Sequence, residues 1–212
     1  MIKSVILDFD GVILDSNSVK EKAFSNLYSA YGKTISKKVA EYHKKNLGIS
    51  RYMKIKYFHE KFLKKKITKN QINILADKFS DLVFEKIIKV KFIKGANEFI
   101  VENYKNYDLH ISSATPQNEL INICKKRKIN HFFKTINGSP ITKRQHIKYI
   151  KKKYNLRLNE IIYIGDSYND FKAAKDSNIN FINIGSVKKY KYKKIFFAKN
   201  LIKLNNKISK II

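Results

Sequence analysis

The sequence is poor in cysteine, proline and glycine, and each shortage excludes a class of protein. Its 212 residues include one cysteine, two prolines and seven glycines. The single cysteine, Cys124, excludes an internal disulfide and a zinc site built from cysteines, and it is typical of a reducing compartment. With 43% apolar residues, so little proline and glycine argues against a disordered chain and indicates a globular protein with a core.

Long apolar runs and a leader sequence are also missing. No run of about 18 uncharged, apolar residues occurs, so we expect no membrane-spanning helix. The N-terminal segment MIKSVILDFD is too short and too acidic for a signal peptide. We therefore expect a cytoplasmic protein without a membrane partner, and its length suits one domain or a domain that carries an insertion.

Acidic residues are outnumbered, at 17 against 45 lysines and arginines, and the formal net charge is +28. Only four of the basic residues are arginines, and the lysines are spread along the whole chain. A nucleic-acid-binding surface is expected to combine a basic patch with interleaved aromatic side chains. We therefore predict no specific nucleic-acid partner and interpret the charge as a solvated lysine surface, which can steer anionic substrates.

Hydrophobic periodicity divides the chain into two kinds of secondary structure. Residues 3–8 form an apolar run typical of a buried strand, and the segment from Asn17 to about Lys91 has the spacing of amphipathic helices. After Gly95, strand and helix patterns alternate, and the tail from Lys199 is predicted to be helical. The predicted strands of this second part cover residues 107–114, 133–139, 160–167 and 179–185.

The order of these elements predicts an α/β fold. Alternating strands and helices form parallel sheets that are covered by helices on both faces. Because the helical segment interrupts this pattern after the first strand, we expect it to be inserted into the sheet domain. The predicted organisation is a Rossmann-like parallel-sheet core of residues 1–15 and 92–212 with an inserted, all-helical cap subdomain of residues 16–91.

Two acidic residues follow the first predicted strand. In VILDFDGVILDS, residues 5–16, an apolar run leads directly into Asp8, and Asp10 comes two residues later. Carboxylates beside a core lose solvation, yet this spacing places both on one side of a continuing strand. Gly11 permits the backbone turn that follows. An Asp-Gly pair can be a simple turn, so further acids are needed before a site is inferred.

Other predicted strands deliver polar side chains to the same edge of the sheet, because ligands of open parallel sheets bind at the carboxyl ends of the strands. The side chains expected at this edge are Asp8, Asp10, Ser113, Ala114, Thr115, Asp166 and Asp170, with Lys143 at the start of the preceding helix. Clustered carboxylates cannot all ionise without a compensating cation. Since oxygen ligands suit Mg²⁺, the sequence predicts a magnesium site.

This set of residues predicts phosphoryl transfer. Once a cation screens its charge, Asp8 can attack phosphorus and form an aspartyl phosphate. Asp10 can protonate the leaving oxygen and later deprotonate the attacking water. Ser113 can donate a hydrogen bond to the phosphoryl oxygens, and Lys143 can neutralise them. Alternatively, Ser113 and Thr115 could only cap the helix that follows them.

Four motifs, DFDGVILDS, ISSATP, GSPITK and GDSYND, are similar in order and spacing to the signature motifs of the haloacid dehalogenase (HAD) superfamily. The resemblance covers the whole chain, and the inserted helices resemble the small cap of the phosphoglycolate phosphatase and β-phosphoglucomutase branch. It implies that Asp8 is the nucleophile and a metal ligand, and that Asp10 is the acid/base with its backbone carbonyl on the metal. It also implies that Asp166 and Asp170 are metal ligands.

The resemblance extends to the phosphoryl and substrate sites. Ser113 matches the hydroxyl of the second motif, and Lys143 matches the lysine of the third. In the cap, GISR, residues 48–51, resembles the specificity loop of this branch, which implies that Arg51 lies over the substrate. An arginine there can bind an anionic group with two hydrogen bonds. The residues expected to contact the substrate are Gly11, Ala114, Thr115 and Arg51.

Two features depart from the pattern of this branch. Members often carry a histidine about ten residues after the second aspartate, whereas this chain has Lys20 there. The third motif reads SPITK instead of its glycine-lysine-proline form. Lys143 is the best match to the lysine of that motif, and Lys134 and Arg144 lie nearby in the sequence.

We therefore predict a Mg²⁺-dependent phosphatase that hydrolyses a small phosphorylated metabolite, such as phosphoglycolate or a sugar phosphate, through an aspartyl-phosphate intermediate. Three alternatives remain open. A β-phosphoglucomutase-like phosphosugar mutase would share the first half-reaction. A haloacid dehalogenase would use Asp8 but would need neither Asp10 nor a metal. A basic nucleic-acid-binding module would make use of the high net charge.

Overall fold

A parallel sheet forms the centre of the computed structural model, which describes residues 1–185 and 190–211. Its strands within these ranges are β1 (Ser4–Leu7), β2 (Asp108–Pro116), β3 (Thr135–Ser139), β4 (Ile161–Gly165), β5 (Asn180–Ile184) and β6 (Ile195–Ala198). They lie in the order β3-β2-β1-β4-β5-β6, and every neighbouring pair is parallel. The prediction of an α/β fold with a parallel sheet is therefore confirmed.

The central strand β1 brings the ends of its two neighbours together. Leu7, its last residue, pairs with Ile111 of β2 on one side and with Ile164 of β4 on the other. All residues of β1 and β4 are buried, as expected for strands covered on both faces. The residues that follow β1, β2 and β4 therefore emerge next to one another at a single edge of the sheet.

Helices surround the sheet and fill the segment between β1 and β2. In that segment, α1 (Asn17–Leu27), α2 (Lys33–Lys45), α3 (Arg51–Tyr57) and α4 (Lys69–Lys89) follow one another. The later helices are α5 (Ala96–Asn103), α6 (Gln117–Lys126), α7 (Lys143–Lys153), α8 (Tyr168–Asp176) and α9 (Asn205–Ile208). None of the helices in the described ranges combines the length and the apolar character needed to cross a bilayer.

Aromatic side chains connect α1, α4 and Phe58, the residue that follows α3. The ring of Phe24 on α1 lies 5.6 Å from that of Phe58 and 4.2 Å from that of Phe79 on α4, measured between centroids. All three rings are buried, and such aromatic contacts add to the stabilisation that burial of the rings provides. We call residues 17–89 the helical segment; the division of the chain into a core and a cap of residues 16–91 stays a prediction.

Opposite faces of the sheet belong to two apolar clusters. Val5 and Leu7 belong to the cluster that also contains Cys124 of α6, which is fully buried, whereas Ile6 belongs to a cluster that also contains residues of α7 and α8. This alternation follows from the period of two residues in a strand. Because both faces of β1 are packed, the position of the residues at its end is fixed.

The C-terminal region differs from the sequence prediction. Ile195–Ala198 forms a sixth strand, β6, which pairs with β5, and the α-helix of the tail starts at Asn205 instead of near Lys199. The β6 sequence IFFA has the aromatic and β-branched character of a strand, but the lysines around it obscure the pattern. The prediction of a helix from Lys199 onward is wrong, because the turns before α9 already bury Leu201 and Leu204.

Candidate active site

Asp8 lies directly after β1 and is 3% exposed. Its backbone N–H donates to the carbonyl of Ile164 at 2.9 Å, so the pairing with β4 continues up to this residue. Its Oδ1 accepts a hydrogen bond from the N–H of Phe9 at 2.8 Å and lies 2.9 Å from Nζ of Lys143. The backbone and these two contacts fix the Asp8 carboxylate at the sheet edge.

Lys143 bridges two carboxylates. Its Nζ lies 2.9 Å from Oδ1 of Asp8 and 2.5 Å from Oδ1 of Asp170. Thr142 is the N-cap of α7 and forms a capping box with Gln145, so Lys143 is held in position as the first residue of the helix. Burial favours the neutral amine, but the two carboxylates outweigh burial and raise the pKa of Lys143 well above its ordinary value. Lys143 is therefore a fixed positive charge.

Asp170 lies in the first turn of α8 and is fully buried. Its Oδ2 accepts hydrogen bonds from the backbone N–H of Ser167 at 3.0 Å and from the Ser167 hydroxyl at 2.5 Å. A side chain at Gly165 would collide with Asp170, so glycine at the end of β4 allows α8 to approach this closely. The motif GDSYND therefore orients Asp170 toward the end of β1.

Asp8, Asp166 and Asp170 form a carboxylate cluster. Each offers an oxygen, and the three oxygens lie within 4.8 Å of one another. Asp166 follows β4, and its Oδ2 accepts a hydrogen bond from Nδ2 of Asn17 at 3.0 Å. Gly11, with φ +81°, lies against Asp166 so closely that a side chain would collide with it. The parallel sheet thus brings together acids that are far apart in the sequence.

The cluster has the donors and the electrostatics of a Mg²⁺ site. Burial is the main reason that the pKa of Asp8 is raised well above its ordinary value, and the charges of Asp170, Asp166 and Asp10 add to it against the opposing charge of Lys143. Three carboxylate oxygens that lie within 4.8 Å of one another are donors of the type that Mg²⁺ prefers. An added cation would favour the ionised form of Asp8.

The carboxylate of Asp10 lies outside this cluster and is held by three side chains. Its Oδ1 accepts a hydrogen bond from Ser16 at 2.5 Å, and its Oδ2 accepts from Lys20 at 2.5 Å and from Thr115 at 3.1 Å. Burial opposes ionisation, but Lys20 and the hydrogen bonds lower the pKa of Asp10 to about 2. The carboxylate is therefore ionised. The resemblance implies that the backbone carbonyl of Asp10, and not this carboxylate, contacts the metal.

Lys20, a departure from the family pattern in the sequence, is a functional residue that the sequence prediction misses. It lies on α1, is 8% exposed, and its Nζ also donates to Oγ1 of Thr115 at 2.9 Å. The sequence feature that could have identified Lys20 is its position on the helix, because it shares the buried side of α1 with Ala23 and Phe24. A lysine at an apolar position of an amphipathic helix indicates a buried partner.

The hydroxyl residues near the end of β2 line the site and do not cap the next helix. Oγ of Ser113, which is 1% exposed, accepts a hydrogen bond from the N–H of Thr115 at 3.1 Å. The residue that precedes α6 is Pro116, and no side chain caps this helix. The alternative that Ser113 and Thr115 are merely helix caps is therefore excluded. Ser113 and Lys143 line a groove that adjoins Ala114 and Gly48.

A cavity of about 40 Å³ lies between the sheet edge and the helical segment. We call Asp8, Asp10, Ala114 and Thr115 its floor. Its roof consists of Asn17, Lys20, Phe24, His43, Leu47, Gly48, Ile49, Arg51, Lys54 and Phe79. This volume holds roughly three water molecules, so a phosphomonoester bound beside Asp8 must extend into the adjoining groove lined by Ser113 and Lys143 or displace the roof.

Arg51 lies in the roof, but its guanidinium is engaged by a carboxylate. Nη1 donates to Oε2 of Glu119 at 2.8 Å, and Nη2 donates to Oε1 at 2.6 Å. Nη1 also donates to the hydroxyl of Ser80, and the guanidinium lies 4.6 Å from the ring centroid of Phe79. This buried, bidentate pair joins α3 to α6. The positive charge of Arg51 is therefore compensated within the protein.

A family model described as haloacid dehalogenase-like hydrolase matches residues 5–184. The matched range includes the carboxylate cluster, Lys143 and the helical segment. The chain belongs to this family. The match confirms the sequence prediction of a HAD-type hydrolytic enzyme, whereas a search of the curated proteins found no match.

Solved structures of other HAD proteins have a similar fold. A β-phosphoglucomutase from Clostridium difficile is 22% identical, with a TM-score of 0.79 over 99% of this chain and 98% of that chain. A predicted phosphoglycolate phosphatase from Haemophilus somnus is 16% identical, with a TM-score of 0.72 over 98% of both chains. The HAD hydrolase YfnB from Bacillus subtilis, bound to magnesium, is 18% identical, with a TM-score of 0.70 over 98% of both chains.

Proposed function

We propose that this HAD-like hydrolase is a Mg²⁺-dependent phosphatase that acts on a small phosphorylated metabolite through an aspartyl phosphate on Asp8. The carrying observation is the buried Asp8 carboxylate, whose oxygen lies within 4.8 Å of oxygens of Asp166 and Asp170 and 2.9 Å from Nζ of Lys143. A β-phosphoglucomutase and a predicted phosphoglycolate phosphatase share the fold, which supports a phosphate ester as the substrate.

The proposed Mg²⁺ ligands are Asp8, Asp166, Asp170 and the backbone carbonyl of Asp10. When bound, Mg²⁺ supplies positive charge that offsets the carboxylates and the phosphate oxygens. Oxygen-only donors are the type that this ion prefers, and the magnesium-bound state of YfnB supports the choice of metal.

In the first proposed step, an oxygen of Asp8 attacks phosphorus, and the bond between phosphorus and the leaving oxygen breaks. The phosphoryl group is then held on Asp8 as an acyl phosphate. Lys143 neutralises the phosphoryl oxygens from the side of α7, and the hydroxyl of Ser113 donates a hydrogen bond to them. Gly11, Ala114 and Thr115 are proposed to contact the substrate, as the resemblance implies, and Ala114 and Thr115 line the cavity together with Asp8.

Asp10 is proposed to move the protons. It is ionised in the structure, as required for a base that deprotonates the water attacking the acyl phosphate. Its role as an acid toward the leaving oxygen requires a proton, and the proton of Lys20, whose Nζ lies 2.5 Å from Oδ2 of Asp10, can pass through Asp10 to the strongly basic leaving oxygen while the bond to phosphorus breaks. The proton taken from water then restores the original state of this pair, and phosphate is released from Asp8.

Opening of the cavity is part of this proposal. The helical segment, with the predicted cap boundaries at residues 16 and 91, is proposed to move away from the core when substrate enters. Its contacts with the core include the hydrogen bond from Nδ2 of Asn169 to the carbonyl of Leu47 at 2.7 Å and the pair between Arg51 and Glu119. Closure then excludes bulk water during attack by Asp8.

A screen of phosphomonoesters with Mg²⁺ tests this function. We expect phosphate release from one class of ester, complete loss of turnover in Asp8→Asn, and loss and recovery of activity on adding a chelator and then excess Mg²⁺. Near-normal hydrolysis by Asp8→Asn would mean that another residue is the nucleophile. Activity that is unchanged in chelator would exclude the metal.

A phosphosugar mutase is the alternative reaction, and the similar fold of a β-phosphoglucomutase supports it. The two reactions differ in the fate of the phosphoryl group. Release of inorganic phosphate from a monophosphate without an added bisphosphate indicates the phosphatase. Isomerisation of a sugar phosphate that depends on a bisphosphate activator indicates the mutase.

A further inference from the structure

Lys54 is a buried lysine in the roof of the cavity. It lies on α3, is 2% exposed, and shares the buried side of this helix with Arg51 and Ile55. Its Nζ donates a hydrogen bond to Nδ1 of His43 on α2 at 2.9 Å. It lines the same cavity as Asp8, so a ligand that fills this cavity can contact both residues.

The three cations of the roof differ in their charge partners. Lys20 is paired with Asp10 at 2.5 Å, and Arg51 is paired with Glu119 at 2.6 Å. For Lys54, no carboxylate of residues 1–185 and 190–211 lies within the 4.0 Å that defines an ion pair.

Its hydrogen-bond partner does not supply a negative charge. Burial, with the neighbouring Lys54 and Lys20, lowers the pKa of His43 to about 2, so this imidazole is neutral. A buried ammonium group that lacks an anionic partner destabilises a fold. A ligand that enters the cavity with a negative charge would remove this cost.

We propose that Lys54 binds a second anionic group of the substrate, either a carboxylate or a second phosphate. The phosphoryl group would lie at the floor beside Asp8 and Thr115, and the other end of the molecule would reach Lys54 in the roof. This assignment depends on the proposed phosphatase function, because it assumes that Asp8 takes the phosphoryl group. It selects phosphorylated acids and bisphosphates over neutral sugar monophosphates.

The electrostatic state of Lys54 agrees with this role. Burial and the charge of Lys20 lower the pKa of Lys54 to about 7, with Asp10 acting in the opposite direction and Lys143 adding to the decrease. A bound anion favours the protonated amine. Arg51 is less suited to the same role in this arrangement, because both of its terminal nitrogens, Nη1 and Nη2, already donate to Glu119.

Two matched pairs of esters test the proposal. Phosphoglycolate is compared with 2-hydroxyethyl phosphate, in which an alcohol replaces the carboxylate, and a hexose 1,6-bisphosphate is compared with the hexose 1-phosphate. We expect kcat/KM to be higher for the more anionic member of one pair by about tenfold or more, as for a charge-assisted hydrogen bond. The pair that shows this preference identifies the group as carboxylate or phosphate.

Variants of two lysines on α3 connect the preference to Lys54. Lys54→Met is expected to abolish the preference, and Lys54→Arg is expected to retain it, which separates loss of charge from loss of packing. Lys56→Met is the matched control, because the side chain of Lys56 is 58% exposed and lies 3.8 Å from Glu60 on the solvent side; it should leave the preference unchanged. A preference that persists in Lys54→Met would overturn the assignment.

Failure of this assignment is distinguishable from failure of the proposed function. If wild-type enzyme hydrolyses p-nitrophenyl phosphate and loses this activity in Asp8→Asn, but prefers the more anionic member of neither pair, the role of Lys54 is wrong and the phosphatase stands. If wild-type enzyme with Mg²⁺ releases phosphate from none of these esters, the proposed function and the role of Lys54 are both overturned.

Discussion

The floor and the roof of the cavity carry opposite charges and are built differently. The floor includes Asp8 and Asp10 at the end of a buried strand, and Asp166 and Asp170 lie beside Asp8. The roof contains Lys20 of α1 and Arg51 and Lys54 of α3, and no carboxylate occurs among the described residues that form it. The difference suggests that reaction chemistry belongs to the rigid sheet edge, whereas the helical segment selects the substrate by its charge.

The largest effect is expected from the floor. Asp8→Asn should lower kcat by about 10⁴-fold or more, as expected for loss of a nucleophile, and equally for every ester, because each substrate shares this step. Single-turnover phosphate release measures it. The exposed Asp77→Asn is the matched control and should retain full activity. A loss that varied strongly between esters would contradict the assignment of chemistry to the floor.

Loss of the ion pair between Arg51 and Glu119, which joins the roof to the core, is expected to have the next largest effect. Glu119→Gln leaves the buried Arg51 without its charge partner, so the free energy of unfolding should fall by about 3–5 kcal/mol. Urea unfolding measures this change. The double variant Arg51→Met/Glu119→Met removes both charges and should recover much of the loss. If the single variant unfolded like wild type, the pair would contribute nothing to holding the two regions together.

Lys20 belongs to the roof and contacts Asp10 and Thr115 of the floor. Its substitution is expected to have an intermediate effect. Lys20→Met removes the partner of Asp10, and kcat should fall by about 10²-fold because proton transfer is impaired. The pKa of Asp10, about 2 in the structure, should rise, so activity should be lost at a higher pH on the acid side of the profile. If the pH at which activity falls on the acid side is the same in Lys20→Met as in wild type, this role is wrong.

The smallest expected effect is a gain in stability. In wild-type protein the pKa of Lys54 is lowered to about 7, so the unfolded chain binds more protons above that pH and stability rises toward pH 10 or so. Lys54→Met lacks this penalty. Its free energy of unfolding should exceed that of wild type by about 1–4 kcal/mol at pH 6, with a smaller difference at pH 9.5. Urea unfolding at both values tests this expectation.

The floor and the acids beside it could be predicted from the sequence because these residues lie at, or next to, the ends of strands. The apolar runs that end in Asp8 and Asp166 predict two strands, and a parallel sheet necessarily places their ends at one edge. Asp170 follows from its position four residues after Asp166, at the start of α8. Short-range pattern and topology are together sufficient for this part of the site.

The roof could not be predicted in the same way. Which lysines face the cavity depends on the packing of α1, α2 and α3, and the chain offers many lysines at similar spacing. Arg51 was expected over the substrate, but its partner Glu119 lies on α6, far along the chain, and no local pattern connects them. Lys54 and His43 likewise meet only through tertiary contacts. The packing of helices that are distant in the sequence therefore determines which basic side chains face the cavity, and the local sequence does not.

The single cysteine has a practical consequence for observing motion between the two regions. Cys124 is fully buried, and burial raises the pKa of its thiol to about 12, so maleimide reagents will react with it slowly. A cysteine introduced at Met53, which is 66% exposed on α3, would then be the preferred site for a fluorescent label. Because α3 carries part of the roof, the label's emission would report its displacement without mutation of the natural thiol.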